Sequence, residues 1–173
     1  MRVTDLIELE ERRELPEFVL FWGGKRRKGR LSQWWPSPFL LDGVRYPTAE
    51  HYMMAEKARL FGDEANLAQV LAADSPGKAK ALGRQVRGFD EPTWAEHRYD
   101  IVVRGSVAKF GQSDELRGYL LSTGDKILVE ASPLDAIWGI GLAEDRPEAL
   151  TPSRWRGENL LGFALMDARD ALR

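Results

Sequence analysis

The stretch Tyr46-Pro47-Thr48-Ala49-Glu50-His51-Tyr52-Met53-Met54-Ala55-Glu56-Lys57-Ala58 decides how the chain reads, because it places two charges where a helix should be apolar. Pro47-Thr48 marks a helix start, since a threonine hydroxyl accepts from the free amides of a first turn. At about 100° per residue, Met53, Met54, Leu60 and Phe61 share one side of that helix. Glu50 and Lys57 fall in the middle of the same arc. Their spacing is about 20° short of two full turns, so both project the same way, ~10 Å apart along the axis. Ionised side chains are seldom aimed inward unless they are paired or used. Periodicity alone leaves two readings open, a structural ion-pair network and a functional site.

Composition narrows the classes. A hydrophobic share of 43% and six tryptophans across 173 residues suffice for one compact core. The formal net charge of -2 argues against bulk attraction to nucleic acid or anionic membrane. The chain has no cysteine, which excludes disulfides, thiolate catalysis and sulfur-ligated zinc. Its two histidines, His51 and His97, are too few for a histidine-rich metal site. No apolar run reaches ~20 residues, and Met1 to Glu17 lacks the layout of a secretory signal. The expectation is a cytoplasmic protein with no membrane partner, no metal and no cofactor.

Outward from the opening stretch, residues 1–17 read as a polar lead-in with room for a short helix, and residues 18–173 as one domain. Phe18 to Trp22 reads as a buried strand stopped by Gly23-Gly24, and Phe39 to Tyr46 as a hairpin turning at Asp42-Gly43. Helices are expected after Thr48, from Gly62-Asp63 to about Ala73, from Ser75-Pro76 to Gly83, from Pro92 through Phe110, and from Ser113 to Ser122. Lys126 to Glu130 reads as a strand, Pro147 to Arg156 as a polar loop, and Leu160 to Leu172 as a helix buried on several sides. The mix is helix-rich α+β, without the alternation of a doubly wound sheet.

Three further clusters carry candidate chemistry. Glu130-Ala131-Ser132-Pro133-Leu134-Asp135 sets two carboxylates just past a strand end, and Trp138-Gly139-Ile140-Gly141 follows. Trp138 offers a flat face to a base or sugar and Gly139 permits close backbone approach. The structural alternative has Asp135 capping a turn and Trp138 packing the core. In Trp155-Arg156-Gly157-Glu158-Asn159-Leu160-Leu161-Gly162, the amides of the last helix suit a phosphate and Asn159 suits a hydroxyl, or else Asn159 only caps the helix. Lys25 to Arg30 carries five positive charges beside Trp34 and Trp35, a pattern for steering a phosphorylated ligand or nucleic-acid strand, or a solvated loop. Both histidines read as structural.

The ordered set Phe21-Trp22-Gly23-Gly24, Leu31 to Phe39, Thr48-Ala49-Glu50-His51-Tyr52, Glu56-Lys57-Ala58, Leu82-Gly83-Arg84, Lys109-Phe110, Glu130-Ala131-Ser132, Asp135 to Gly139 and Gly157 to Gly162 resembles the NADAR, or YbiA-like, family. The resemblance implies a single helix-rich α+β domain with a few short strands. It also implies cleavage of the N-glycosidic bond of a ribosyl or ADP-ribosyl compound without a metal. The expected substrates are ADP-ribosyl-guanine in DNA or RNA, or phosphorylated ribosylamino-pyrimidine intermediates of riboflavin synthesis. It puts Glu50, Lys57, Asp135 and Trp138 at the pocket, with Glu130, Asn159, Trp34, Gly139 and Arg84 as further binding residues. With the inward charges, it yields Glu50 as general acid/base, Asp135 orienting a hydroxyl or water, and Lys57 as a Schiff-base nucleophile or a binding group. The alternative is a non-catalytic ADP-ribose or nucleotide sensor. Three departures stand out: Ser32-Gln33-Trp34 for Ser-Asn-aromatic, Gly157-Glu158-Asn159 for Gly-Lys-Asn, and a long Leu142–Arg154 loop that is a candidate lid.

Overall fold

The computed structural model describes residues 1–23 and 27–173. Its elements run α1 (Val3–Arg12), β1 (Phe18–Phe21), a 3-10 turn (Arg27–Leu31), β2 (Phe39–Leu41), β3 (Val44–Tyr46), α2 (Ala49–Leu60), α3 (Glu64–Leu71), α4 (Pro76–Gly83), α5 (Glu91–Gly111), α6 (Asp114–Leu121), β4 (Ile127–Glu130), two 3-10 turns (Pro147–Leu150, Pro152–Arg154) and α7 (Leu160–Ala171). This is the helix-rich α+β architecture expected, with two small sheets.

Local chemistry explains the boundaries. Thr48, Asp63, Ser75, Asp90 and Ser113 each cap the helix that follows, accepting from the amides of His51, Asn66, Lys78, Thr93 and Leu116. Each such cap is worth about 1 kcal/mol. Asp42 and Gly43 both take positive φ (49° and 77°), the two-residue turn that matches strand twist in the β2–β3 hairpin.

Long-range packing does the rest. β1 and β4 pair in parallel, Phe18 opposite Ile127 through Phe21 opposite Glu130, and Ile127, Leu128 and Val129 are buried. α7 packs on β4 and α5, while α2 packs on α3, α4 and α5. α2 is more enclosed than a one-sided stripe implies: every residue from Ala49 to Ala55 is buried. Two glycines permit that closeness. A Cβ at Gly105 of α5 would collide with the Tyr52 ring, and one at Gly83 of α4 would collide with Met54 Sδ.

The lead-in is docked rather than free. Leu6 is fully buried, and the Glu10 carboxylate accepts from Ser153 N and Oγ at 2.9 and 3.0 Å. The long loop is thereby folded into 3-10 turns against α1, and none of it lines the main cavity; it is not a lid. The first part of the basic run, with Gly24, Lys25 and Arg26, lies outside the described residues. Farther along, Lys28 pairs with Glu144 at 2.7 Å and Arg30 with Glu115 at 2.5 Å. His51 is structural as expected, its Nδ1 at 2.8 Å from Thr48 Oγ1 and its Nε2 at 3.1 Å from Ala73 O. His97 is instead exposed on α5, because it falls on the face turned away from α2 and α7.

Candidate active site

The principal cavity, about 450 Å³, opens between the first two-thirds of α2, the inner face of α4, the start of α5 and the loop after β4. Glu50 and Lys57 both line it, with Met53 and Met54 on the same wall. Of the helical arc read from the sequence, Glu50, Met53, Met54 and Lys57 face one chamber, whereas Leu60 and Phe61 do not line it.

Glu50 is only 2% exposed. Its backbone amide donates to Gln33 O at 3.0 Å, and Trp34 Nε1 donates to its Oε2 at 3.2 Å. Oε1 is shielded from solvent and has no hydrogen-bond partner among the described residues. Burial pushes its pKa up to about 7, against the pull of Lys80 and of the Trp34 hydrogen bond. A carboxyl so held is poised to give and take a proton near neutrality.

Lys57 is half-buried at the far end, its Nζ 4.0 Å from the Phe89 ring centre and 5.5 Å from that of Trp94. It makes no ion pair among the described residues. Desolvation lowers its pKa, with Glu91 opposing and Arg84 assisting. The direction matters, since only the neutral amine is nucleophilic.

The loop after β4 supplies the opposite wall. Asp135 Oδ1 accepts from the amides of Ile137 (3.0 Å) and Trp138 (2.8 Å), while Oδ2 lies 3.8 Å from Lys80 Nζ. Asp135 thus caps a turn and faces the cavity at once, and Trp138 both packs on the core and lines the chamber. Glu130 ends β4 beside them. Burial, reinforced by Asp135, pushes its pKa up to about 8, and its Oε2 is also shielded and unpartnered among the described residues. Trp34 and Arg84 stand at the cavity wall, Arg84 exposed and without an ion pair among the described residues.

Two expected ligand contacts are structural instead. Asn159, fully buried in a left-handed conformation (φ 53°), accepts from Glu130 N at 3.0 Å and donates to Leu128 O at 3.0 Å. Its side chain is spent on clamping β4, and it does not line the cavity. The amides of Glu158, Asn159, Leu160 and Leu161 donate to the carbonyls of Ala136, Gly139, Ile137 and Trp138 at 3.0–3.2 Å, so these four hold the 135–139 loop rather than a phosphate. Gly139 is also a packing residue. A Cβ there would lie 2.8 Å from Glu130 O and 3.0 Å from Asp135 O. Neither Asn159 nor Gly139 lines the cavity; both support the loop that does.

The sequence reading missed Lys80, although it shares a face of α4 with Arg84 four residues on. It noted Gln33 only as a departure from the family pattern, and it missed the aromatic wall of Phe89 and Trp94 and also Arg98, which reaches Glu91 at 3.2 Å and Glu158 at 3.8 Å. The negative Glu158, found where a lysine was expected, therefore answers a cavity arginine. Lys109 plays a supporting part. Buried beneath the site, it donates to Arg30 O and Ser32 O, both at 2.8 Å, and fixes the segment that carries Trp34.

Comparison with known proteins bears on the family and the fold. The NADAR domain profile matches residues 20–173. The chain is 41% identical to N-glycosidase R617 of Acanthamoeba polyphaga mimivirus, over 91% of this chain and 97% of that one. It is 33% identical to N-glycosidase YbiA of Escherichia coli (strain K12), over 89% and 88%. The NMR structure of the E. coli protein YbiA superposes with a TM-score of 0.75 at 30% identity, covering 91% of this chain and 86% of that one. No helix among the described residues is long and apolar enough to cross a membrane. A match across nearly the whole domain, in both sequence and fold, means that this chain belongs to the NADAR domain family.

Proposed function

We propose that the chain is an N-glycosidase that cleaves the bond between a ribosyl or ADP-ribosyl group and a nitrogen base. The observation that carries the reading is one cavity holding both a shielded carboxyl near neutrality, Glu50, and a desolvated lysine, Lys57. The family membership and the N-glycosidase relatives support the reaction class.

As the C1–N bond breaks, its electron pair leaves on the base nitrogen, which takes a proton from Glu50. Neutral Lys57 Nζ then bonds to the electron-poor C1 and returns a proton to the Glu50 carboxylate. Opening of the ring places the C1–O electron pair on the ring oxygen, which takes the proton back from Glu50, and leaves a protonated imine between C1 and Nζ. Water adds at C1, giving its proton to the Glu50 carboxylate, and the C1–Nζ bond breaks as the new hydroxyl proton passes to Nζ, freeing the open-chain sugar and regenerating the amine. Asp135, with Oδ1 fixed by two amides, holds a ribose hydroxyl or the water on Oδ2. Arg84, exposed at the mouth and unpaired among the described residues, meets a phosphate of the sugar.

The test is incubation with an ADP-ribosylated guanine oligonucleotide and, separately, with a phosphorylated ribosylamino-pyrimidine. Release of free ADP-ribose or ribose phosphate supports the enzyme, and its source identifies the substrate. Tight binding with no release from either would make the domain a sensor and reject the hydrolase.

A further inference from the structure

A second cavity of about 440 Å³ adjoins the first, and the two share a wall that includes Trp34, Lys80, Glu130 and Asp135. Glu50 and Lys57 border only the first, whereas Trp22, Gly77 and Ser132 border only the second. We infer that the second cavity is the leaving-group subsite, receiving a planar heterocyclic base against the indoles of Trp22 and Trp34 with the Glu130 carboxyl hydrogen-bonded to its polar edge. The inference rests on the N-glycosidase reading and extends it to the part of the substrate that departs.

Three observations lead there. The anomeric carbon has to lie within reach of both Glu50 and Lys57, which puts the sugar in the first cavity. A glycosidic bond that leads from C1 across the shared wall, its nitrogen still within reach of Glu50, carries the body of the base into the second. The chemistry of that wall also suits a base. Trp22, 53% exposed just past the end of β1, and Trp34, 43% exposed, are rigid flat surfaces, and stacking on indole tolerates any base because each has a π-face. Gly77, opening α4 beside the Trp34 ring, puts no side chain over its edge: even a Cβ there would lie 3.6 Å from Trp34 Cη2.

The third observation is the unpartnered Oε2 of Glu130, closed to solvent at the border between the cavities. Buried polar atoms are seldom left unpaired unless something else completes them. Burial beside Asp135 keeps this carboxyl protonated through neutral pH, so it offers one donor and one acceptor, the complement of the adjacent N–H and C=O on a base edge. Lys80 is already balanced by Asp135 at 3.8 Å, and Arg84, which borders both cavities, is free to hold a phosphate of the sugar at their common mouth.

The experiment compares binding of 5′-GMP, which has a base, and ribose 5-phosphate, which lacks one, by titration calorimetry on the intact chain. Wild type is expected to bind 5′-GMP more tightly. Trp22→Ala is expected to weaken 5′-GMP by roughly tenfold or more while leaving ribose 5-phosphate unchanged, with Trp22→Phe intermediate. Unchanged ribose 5-phosphate binding also certifies that the variant is folded. Equal loss for both probes, or no wild-type preference for 5′-GMP, overturns the subsite. Two further outcomes separate the subsite from the hydrolase. If 5′-GMP binding follows Trp22 but no ribosylated base is cleaved, the hydrolase reading falls and the base site stands. If cleavage proceeds with the same KM in Trp22→Ala, the hydrolase stands and the subsite falls.

Discussion

Replacing Glu50 by glutamine is expected to remove a pH-dependent cost to stability and to disable the protein together. In the folded chain, burial raises the Glu50 pKa from 4.5 to about 7. An unfolded chain has no such environment, so between about pH 4.5 and 7 it releases a proton that the native state retains. Rising pH therefore favours unfolding across that window, and the loss levels off above about pH 7. At about 1.36 kcal/mol per pKa unit, carrying this carboxyl costs about 3 kcal/mol at pH 8 and about 1 kcal/mol at pH 5. Glutamine keeps the shape and an acceptor for Trp34 Nε1 but has nothing to ionise. Its buried amide adds a cost of about 1–3 kcal/mol at both pH values alike, so the pH-dependent part, about 2 kcal/mol, is the decisive quantity. For a chain of this size, about 2 kcal/mol corresponds to roughly 4–8 °C in Tm. Thermal unfolding of both proteins at pH 5 and pH 8 measures it: Tm of Glu50→Gln relative to wild type should rise by that amount between the two conditions. Turnover of a ribosylated base should fall by ~10² or more. A Tm difference that is the same at both pH values, or turnover within a few-fold of wild type, would refute the assignment of Glu50 as a shielded acid.

Borohydride added during turnover should leave a sugar adduct on Lys57, detectable by mass; Lys57→Arg should retain binding and yield none, and adduct-free protein during rapid turnover would rule out the imine. Trp34→Phe removes the hydrogen bond that holds the Glu50 pKa down, so the alkaline limb of the kcat–pH profile should move to higher pH, and an unmoved or lowered limb would contradict that role. Asn159→Ala strands Glu130 N and Leu128 O inside the protein. It should destabilise by about 2–4 kcal/mol in denaturant unfolding, and a loss of ligand affinity without a loss of stability would return Asn159 to the binding residues.

Much of the fold was legible because its signals are local. Ser75-Pro76, Thr48, Ser113 and Asp42-Gly43 carry their own capping or turn chemistry within a few residues, and the helices and hairpin begin where those residues stand. Glu50 and Lys57 were legible for the same reason: a helix fixes which residues share a face. Lys80 was just as accessible by that logic, four residues before Arg84 on α4, and went unread because lysines such as Lys78 and Lys80 on a short helix look like surface. Asn159 and the amides around it were misread because a helix start advertises free donors, and nothing nearby in sequence reveals that the 135–139 loop already occupies them.

The chain's own order thus determined the helices, the hairpin, the inward aim of an acid and an amine seven residues apart, and the family. Only the tertiary structure decided that β1 lies parallel to β4, that Glu130 and Asp135 are thereby brought opposite Glu50, and that Trp34 bonds the buried carboxyl. It also decided that the last helix serves as a clamp. The physical reason is range: caps, turns and helical faces arise from neighbours along the backbone, whereas desolvation, shared cavities and the raised pKa values of Glu50 and Glu130 exist only once distant segments exclude water together.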